Sequence, residues 1–344
     1  MKKAGIIFFI IILLLTGFIR VYALLQPVKN HGGSPEGIWV RQGNTSHVIA
    51  KRLEEKNLIR SSILFKLIVS ITGKDQQLKA GYYEIKPTNS AWDIISILTE
   101  GRIATFKFTI PEGYTVEEIA KKLSKNTFYT EHEFISAAKE KYDHSYLPSH
   151  SKNVRYPIEG FLYPNTYLIP REAEPREIYN IFLNQFEKVW LKKLNNQINK
   201  SSDFSINDII TIASLIEEEA KLDNEKKLIS AVIYNRLDRG MYLQIDAGIQ
   251  YSLPERKERI LYKDLKIESP YNTYTNHGLP VGPICSPGDE AIRAALEPAE
   301  VDYLFYFALN DGSHKFTRSY KKHLELQKEI KEEKEMKEEN KEEE

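Results

Sequence analysis

Phe108-Thr109-Ile110-Pro111-Glu112-Gly113-Tyr114-Thr115-Val116-Glu117-Glu118-Ile119-Ala120-Lys121-Lys122-Leu123 changes period halfway along. The opening residues alternate as a strand does, Pro-Glu-Gly makes a turn, and Val116, Ile119, Ala120 and Leu123 then recur at helical spacing. The same order occurs earlier: Ile38-Trp39-Val40-Arg41-Gln42-Gly43 leads into Ser46-His47-Val48-Ile49-Ala50-Lys51-Arg52-Leu53. Two copies of strand, glycine turn and amphipathic helix form a weak internal repeat. Between them Gly81-Tyr82-Tyr83-Glu84-Ile85 alternates like a strand, and Ser90-Ala91-Trp92-Asp93-Ile94-Ile95 opens another helix. From Thr105 to about His323 the pattern is a second, larger unit of strands and helices with long loops. The expected fold class is α+β.

Upstream, Lys2 and Lys3 precede an apolar run from Ala4 to Leu25 that only Arg20 interrupts. A membrane-spanning helix needs roughly 20 residues, and an arginine near one end can snorkel to the interface. The lysines predict a cytoplasmic N-terminus and an exported body. A cleaved signal peptide ending at Val21-Tyr22-Ala23 is the alternative, and it exports the body equally. The expected organisation is a cytoplasmic end at 1–3, an anchor at 4–25, a linker at 26–36, a small domain at 37–103, a larger catalytic domain at 104–323, and a Lys/Glu tail at 324–344 that is helical or disordered. The net charge is +0 and no basic stripe is interleaved with aromatics, which argues against a nucleic-acid partner. One cysteine, Cys285, excludes an internal disulfide. Tyrosine (20) and phenylalanine (15) are abundant enough for sugar stacking, though core packing uses the same residues.

Ser205-Ile206-Asn207-Asp208 has the form of a capping box, and Ile209-Ile210-Thr211-Ile212-Ala213-Ser214-Leu215-Ile216-Glu217-Glu218-Glu219-Ala220 follows it. At ~100° per residue, Ile209, Ala213, Ile216 and Ala220 centre one apolar face. Glu217 falls inside that arc, Glu218 opposite it, and Glu219 at its margin. A carboxyl against apolar surface keeps its proton more readily and can give it to a leaving oxygen. Three glutamates in a row can also be a solvated face, which suits Glu218 and not Glu217.

The segment at 37–103, a strand followed by helices, resembles the LysM module, which binds N-acetylated glycans; the same pattern also suits a small α/β spacer that binds none. Ile212 to Glu219 resembles the catalytic-helix motif of the endolytic murein transglycosylase (MltG/YceG-like) family, whose catalytic glutamate maps onto Glu217 and second glutamate onto Glu219. Further blocks are similar in order and spacing. They are Ile158 to Tyr167, Val232 to Leu237 with Leu243, Gln244 and Asp246, Ser269 to Tyr274 with Gly278 to Gly288, and a C-terminal block from Ala294 to His323. The chain departs from the family at Ile245-Asp246-Ala247-Gly248, Val281 and Ser286, which affects the shape of the loop and leaves the glutamate untouched.

The resemblance implies an endolytic lytic transglycosylase that cuts nascent peptidoglycan strands after N-acetylmuramic acid, beside peptidoglycan polymerases at the cytoplasmic membrane. Glu217 would protonate the glycosidic oxygen and then deprotonate the sugar's own C6 hydroxyl, giving a 1,6-anhydro end without water. An intramolecular nucleophile lessens the need for a second carboxylate. Candidate substrate contacts are Glu159, Glu219, Asn235, Arg236, Gln244, Asp246, Tyr271, Asn272 and Tyr274. Glu159 is alternatively a partner of Arg236, and Asn272 and Tyr274 alternatively bond within their loop. His314 and His323 are a possible catalytic pair, with isolated structural histidines as the alternative. No metal or cofactor is implied. Two other functions remain open: a non-enzymatic glycan-binding scaffold, and a lysozyme-like hydrolase with Glu219 or Asp246 as second carboxylate.

Overall fold

The structure is a computed structural model and describes residues 2–148, 153–201, 204–309 and 311–342. In chain order the elements are α1 (Lys2–Leu25), β1 (Glu36–Val40), α2 (Ser46–Glu55), α3 (Ser62–Ile71), β2 (Gly81–Ile85), α4 (Ala91–Glu100), β3 (Thr105–Ile110), α5 (Val116–Ser124), α6 (Glu131–Ala138) and β4 (Asn165–Pro170). There follow α7 (Pro175–Phe186), α8 (Lys192–Ser201), α9 (Ile206–Glu219), α10 (Lys226–Asp238), α11 (Asp246–Ser252), α12 (Asp289–Leu296), β5 (Phe305–Ala308), β6 (His314–Thr317) and α13 (Tyr320–Glu342). The strands pair two by two, β1 with β2, β3 with β4 and β5 with β6. This is a mixed helix-and-strand fold with one long apolar helix at its N-terminus.

By its internal contacts the chain divides into two units, Met1–Lys107 with Leu168–Ala173, and Phe108–Tyr167 with Glu174–Glu344. A boundary at 103/104 leaves out the return of Leu168–Ala173 to the first unit.

In the first unit β1 and β2 are antiparallel, with Ile38 opposite Tyr83 and Val40 opposite Gly81. Their inward side chains join Leu53, Phe65, Ile95 and Leu98 in one core. Serine and threonine caps start the helices. Thr45 accepts the Val48 N–H, and Ser90 forms a reciprocal box with Asp93. The segment expected to be a linker is tied down. Lys29 N–H donates to Pro87 O at 3.0 Å, and the Arg60 guanidinium donates to Pro27 O at 2.8 Å.

In the second unit the aromatic surplus is core: Phe134, Phe161, Tyr179, Phe182 and Phe186 are all at most 1% exposed. Helix α9 is the central element, packed by α10, α11 and α12. Every side chain from Ile209 to Ile216 is buried, so α9 is covered on all sides rather than along one stripe. The expected capping box is present, with Ser205 Oγ accepting the Asp208 N–H and Asp208 accepting the Ser205 N–H.

Candidate active site

The last turn of α9 points three carboxylates at three different neighbours. Glu217 Oε2 accepts the Gly288 N–H at 3.2 Å and faces Lys226 Nζ at 3.4 Å. Its side chain is only 11% exposed and that of Lys226 5%. Glu217 therefore does not rest on apolar surface alone, as its place on the helical wheel suggests; a cation and a backbone donor meet it. Burial works to lower the Lys226 pKa, but hydrogen bonding to Asp223 and the charge of Glu217 outweigh it and leave the ammonium raised.

Glu218 differs from the solvated residue expected of it. It is as covered as Glu217, at 11% exposure, because Arg256 reaches over it and bonds its carboxylate. Burial still holds its pKa above the ordinary range, with the Arg256 bond opposing. Glu219 turns toward the β5–β6 hairpin and accepts the Tyr306 hydroxyl proton at 3.1 Å. Burial pushes its pKa up to about 7, against that hydrogen bond and with the charge of Asp246 adding to the rise.

The loop before α12 is bound to α9. Ile284 N–H donates to Ser214 Oγ at 3.1 Å, and the buried Cys285 thiol donates to Ser214 O. Gly160, at φ +83°, lets the chain pass this loop, since a Cβ there would lie 2.4 Å from Pro283 Cβ. The 111–114 turn joins the same loop through two backbone bonds, Gly113 N–H to Ser286 O and Ser286 N–H to Tyr114 O, both 2.8 Å. That pairing places the exposed Glu112 against Gly288, where a Cβ would stand 2.1 Å from the Glu112 carboxyl carbon. Partial burial and the charge of Glu217 both raise the Glu112 pKa. Next to it, Asp289 accepts from the Tyr163 hydroxyl and the Trp190 indole N–H, both at 2.9 Å.

The other expected site residues fall into two groups, with Arg236 common to both. Glu219, Asp246, Tyr274 and Arg236 are gathered: the Tyr274 hydroxyl donates to Asp246 at 2.6 Å, and the charges of Arg236 and Asp246 act on Glu219. Gln244 lies exposed nearby in sequence, at φ +51°, with its N–H on Thr273 O. The second group is occupied internally. Asn235 donates to Val301 O and Tyr303 O, and Arg236 to Leu304 O and Leu243 O, with its guanidinium 5.3 Å from the Phe305 ring centroid. Asn272 is fully buried and donates to Leu265 O and Ile267 O, the loop-internal alternative. The Tyr271 hydroxyl accepts the Arg155 N–H.

Glu159, 1% exposed, accepts Val116 N–H at 3.0 Å and the Tyr251 hydroxyl at 2.8 Å, so its partners are these and not Arg236. Burial pushes its pKa up to about 8 in spite of both bonds. The two histidines take separate partners. His314 bonds Glu225 at 2.7 Å, whereas His323 packs among Phe305 and Tyr320 and bonds Gln327. Sequence reasoning missed Lys226, Gly288 and Glu112. Gly288 lies in the long-loop block that resembles the family, and Glu112 holds the turn position that Gln42 holds in the first repeat, whereas Lys226 carried no signal.

A buried carboxylate beside a lysine and a backbone N–H, with a second carboxyl across a glycine, is a site for acid–base work. The chain belongs to the YceG-like family, which it matches over residues 38–329. A Bacillus subtilis (strain 168) protein named endolytic murein transglycosylase is 32% identical to it over 89% of this chain and 88% of that protein. A Streptococcus pneumoniae (strain R6) protein of the same name is 29% identical, covering 93% of this chain but 64% of that longer protein. The crystal structure of a yceG-like protein from Listeria monocytogenes superposes with a TM-score of 0.59 at 31% identity, over 85% of this chain and 98% of that one.

Proposed function

We propose that this chain is a membrane-anchored endolytic murein transglycosylase with Glu217 as its acid and base. The observation that carries the proposal is the Glu217 carboxylate, 11% exposed and held by Lys226 and Gly288, in a chain whose relatives bear that enzyme's name. Glu217 gives its proton to the glycosidic oxygen after N-acetylmuramic acid as the C1–O bond breaks. Lys226 and the Gly288 N–H stabilise the carboxylate left behind. That carboxylate takes the proton of the C6 hydroxyl, O6 bonds to C1, and the strand ends in a 1,6-anhydro sugar with no water consumed. Glu219, Asp246, Tyr274 and the exposed Gln244 are the proposed contacts to the glycan.

Helix α1 is long and apolar enough to cross a membrane over Ile6–Leu25. It supports an anchor, and Lys2 and Lys3 before it favour a cytoplasmic N-terminus; the catalytic domain of residues 104–323 then lies outside, with nascent strands and their polymerases within reach. For the 37–103 domain, the order β1, α2, α3, β2 supports the LysM-like reading and with it glycan binding.

A hydrolase is the second reading, favoured by one observation: the carboxyl beside Glu217 across Gly288 is Glu112, and it could activate water. Mass spectrometry of products from glycan strands separates the two. The full chain in detergent should release 1,6-anhydro-N-acetylmuramic ends, and Glu217→Gln should lose at least ~10²-fold in rate, the scale of a positioned acid. Reducing ends would establish hydrolysis instead, and binding without cleavage would establish a scaffold.

A further inference from the structure

Helix α3 carries an apolar stripe on its outer side. Its sequence, Ser62-Ile63-Leu64-Phe65-Lys66-Leu67-Ile68-Val69-Ser70-Ile71, is apolar nearly all the way round, and Lys66 is its only charge. Phe65 and Val69 face inward and are fully buried. Ile63, Leu67 and Ile71, spaced four apart, stand outward at 82%, 51% and 75% exposure. Residues at this spacing share one face. A helix apolar on both sides belongs in a protein interior or against lipid, and a continuous exposed stripe is not the ordinary surface of a soluble domain.

The position of α3 identifies what covers the stripe. Helix α1 has 24 residues; at ~1.5 Å per residue, a helix of that length extends ~36 Å, enough to cross a hydrocarbon core of ~30 Å. No free tether follows it. Leu25, its last residue, packs against the core of the first unit, and α1 packs on α3. Arg60, just before the Ser61 cap of α3, holds Pro27 O and Val28 O. The start of α3 is thus bonded to the residues that leave the anchor, where lipid is present before any partner arrives. Lys66, beside the stripe, suits anionic headgroups.

We propose that the Ile63–Leu67–Ile71 face of α3 lies in the interfacial layer of the bilayer that α1 crosses, so that the first unit docks on the lipid surface beside its anchor. This rests on the proposed membrane anchor. Its consequence is a first unit held at a fixed height above the bilayer rather than swinging on a linker.

Site-directed fluorescence on the full chain in phosphatidylglycerol–phosphatidylethanolamine vesicles tests it. Cys285 is fully buried, which leaves an introduced cysteine as the labelling site. An environment-sensitive nitrobenzoxadiazole dye is placed in Leu67→Cys or in Leu14→Cys, both at exposed positions. At Leu67→Cys, quenching by lipids spin-labelled near the headgroup is expected, with reduction by external dithionite slowed at least ~10-fold relative to free dye, as for a side chain buried in the interface. At Leu14→Cys, quenching by deeply spin-labelled lipids is expected. If Leu14→Cys is quenched while Leu67→Cys is reduced as fast as free dye, the docking is wrong and the anchor stands. If Leu14→Cys is not quenched, the anchor itself fails and takes the docking with it. Protection at Leu67→Cys without quenching by lipid would put a second copy of the chain on the stripe and overturn the proposal too.

Discussion

Three adjacent glutamates end in three environments because a helix turn aims successive side chains ~100° apart and different loops meet each one. Glu217 meets Lys226 and Gly288, Glu218 meets Arg256, and Glu219 meets Tyr306. A helical wheel gives the direction of each side chain but not what lies there, which is why Glu218 looked solvated and Glu112 went unseen. Glu112 owes part of its raised pKa to the charge of Glu217. In Glu217→Gln that charge is gone, so the Glu112 titration should move down toward an ordinary carboxyl, as followed by carbon NMR of the side-chain carboxyl; an unchanged titration would mean the two do not interact. Gly288 has φ −77° and ψ 171°, open to any residue, and the nearest atoms its added Cβ would meet are at the movable end of Glu112. Gly288→Ala should therefore cost about 1 kcal/mol in denaturant unfolding, while the same NMR titration shows Glu112 displaced from Glu217.

At the scale of elements, caps explain why the starts of helices were legible. Ser205 with Asp208 is a local pattern, and the sequence carries both halves of it. The start of α5 has a further feature, since the Val116 N–H is taken by Glu159 from a distant segment. The Glu159 pKa is raised from 4.5 to about 8 by burial. Between those values the folded chain holds a proton that the unfolded chain has released, so stability falls as pH rises from about 4.5 to about 8. Glu159→Gln stays neutral and should flatten that decline, gaining on the order of 4 kcal/mol near pH 8 relative to its effect at pH 4. Thermal unfolding across this pH range measures it, and parallel profiles for the two proteins would refute it. Some slope should remain, because Glu219, raised to about 7, acts with the same sign.

At the scale of the whole molecule, the chain opens with an apolar helix whose last residue, Leu25, packs against the core of the first unit. Full-length protein should stay in the membrane pellet through an alkaline carbonate wash, and a chain lacking residues 2–24 should be released by it. Release of the full chain would refute the anchor. The segment expected as a linker became part of the first unit because Lys29 and Arg60 bond across it, through partners that lie far away in the sequence.

Periodicity and caps are local, so the chain alone determined its long apolar N-terminal helix, its alternation of strands and helices, the catalytic-helix candidate and the inward direction of Glu217. Contacts between distant segments are not local. Only folding put Gly288, Lys226 and Glu112 around that carboxyl, committed Asn235, Arg236 and Asn272 to backbone carbonyls, and returned Leu168–Ala173 to the first unit. The physical reason is that a side chain's direction follows from its own helix or strand, whereas its partners are chosen by the packing of every other element against it.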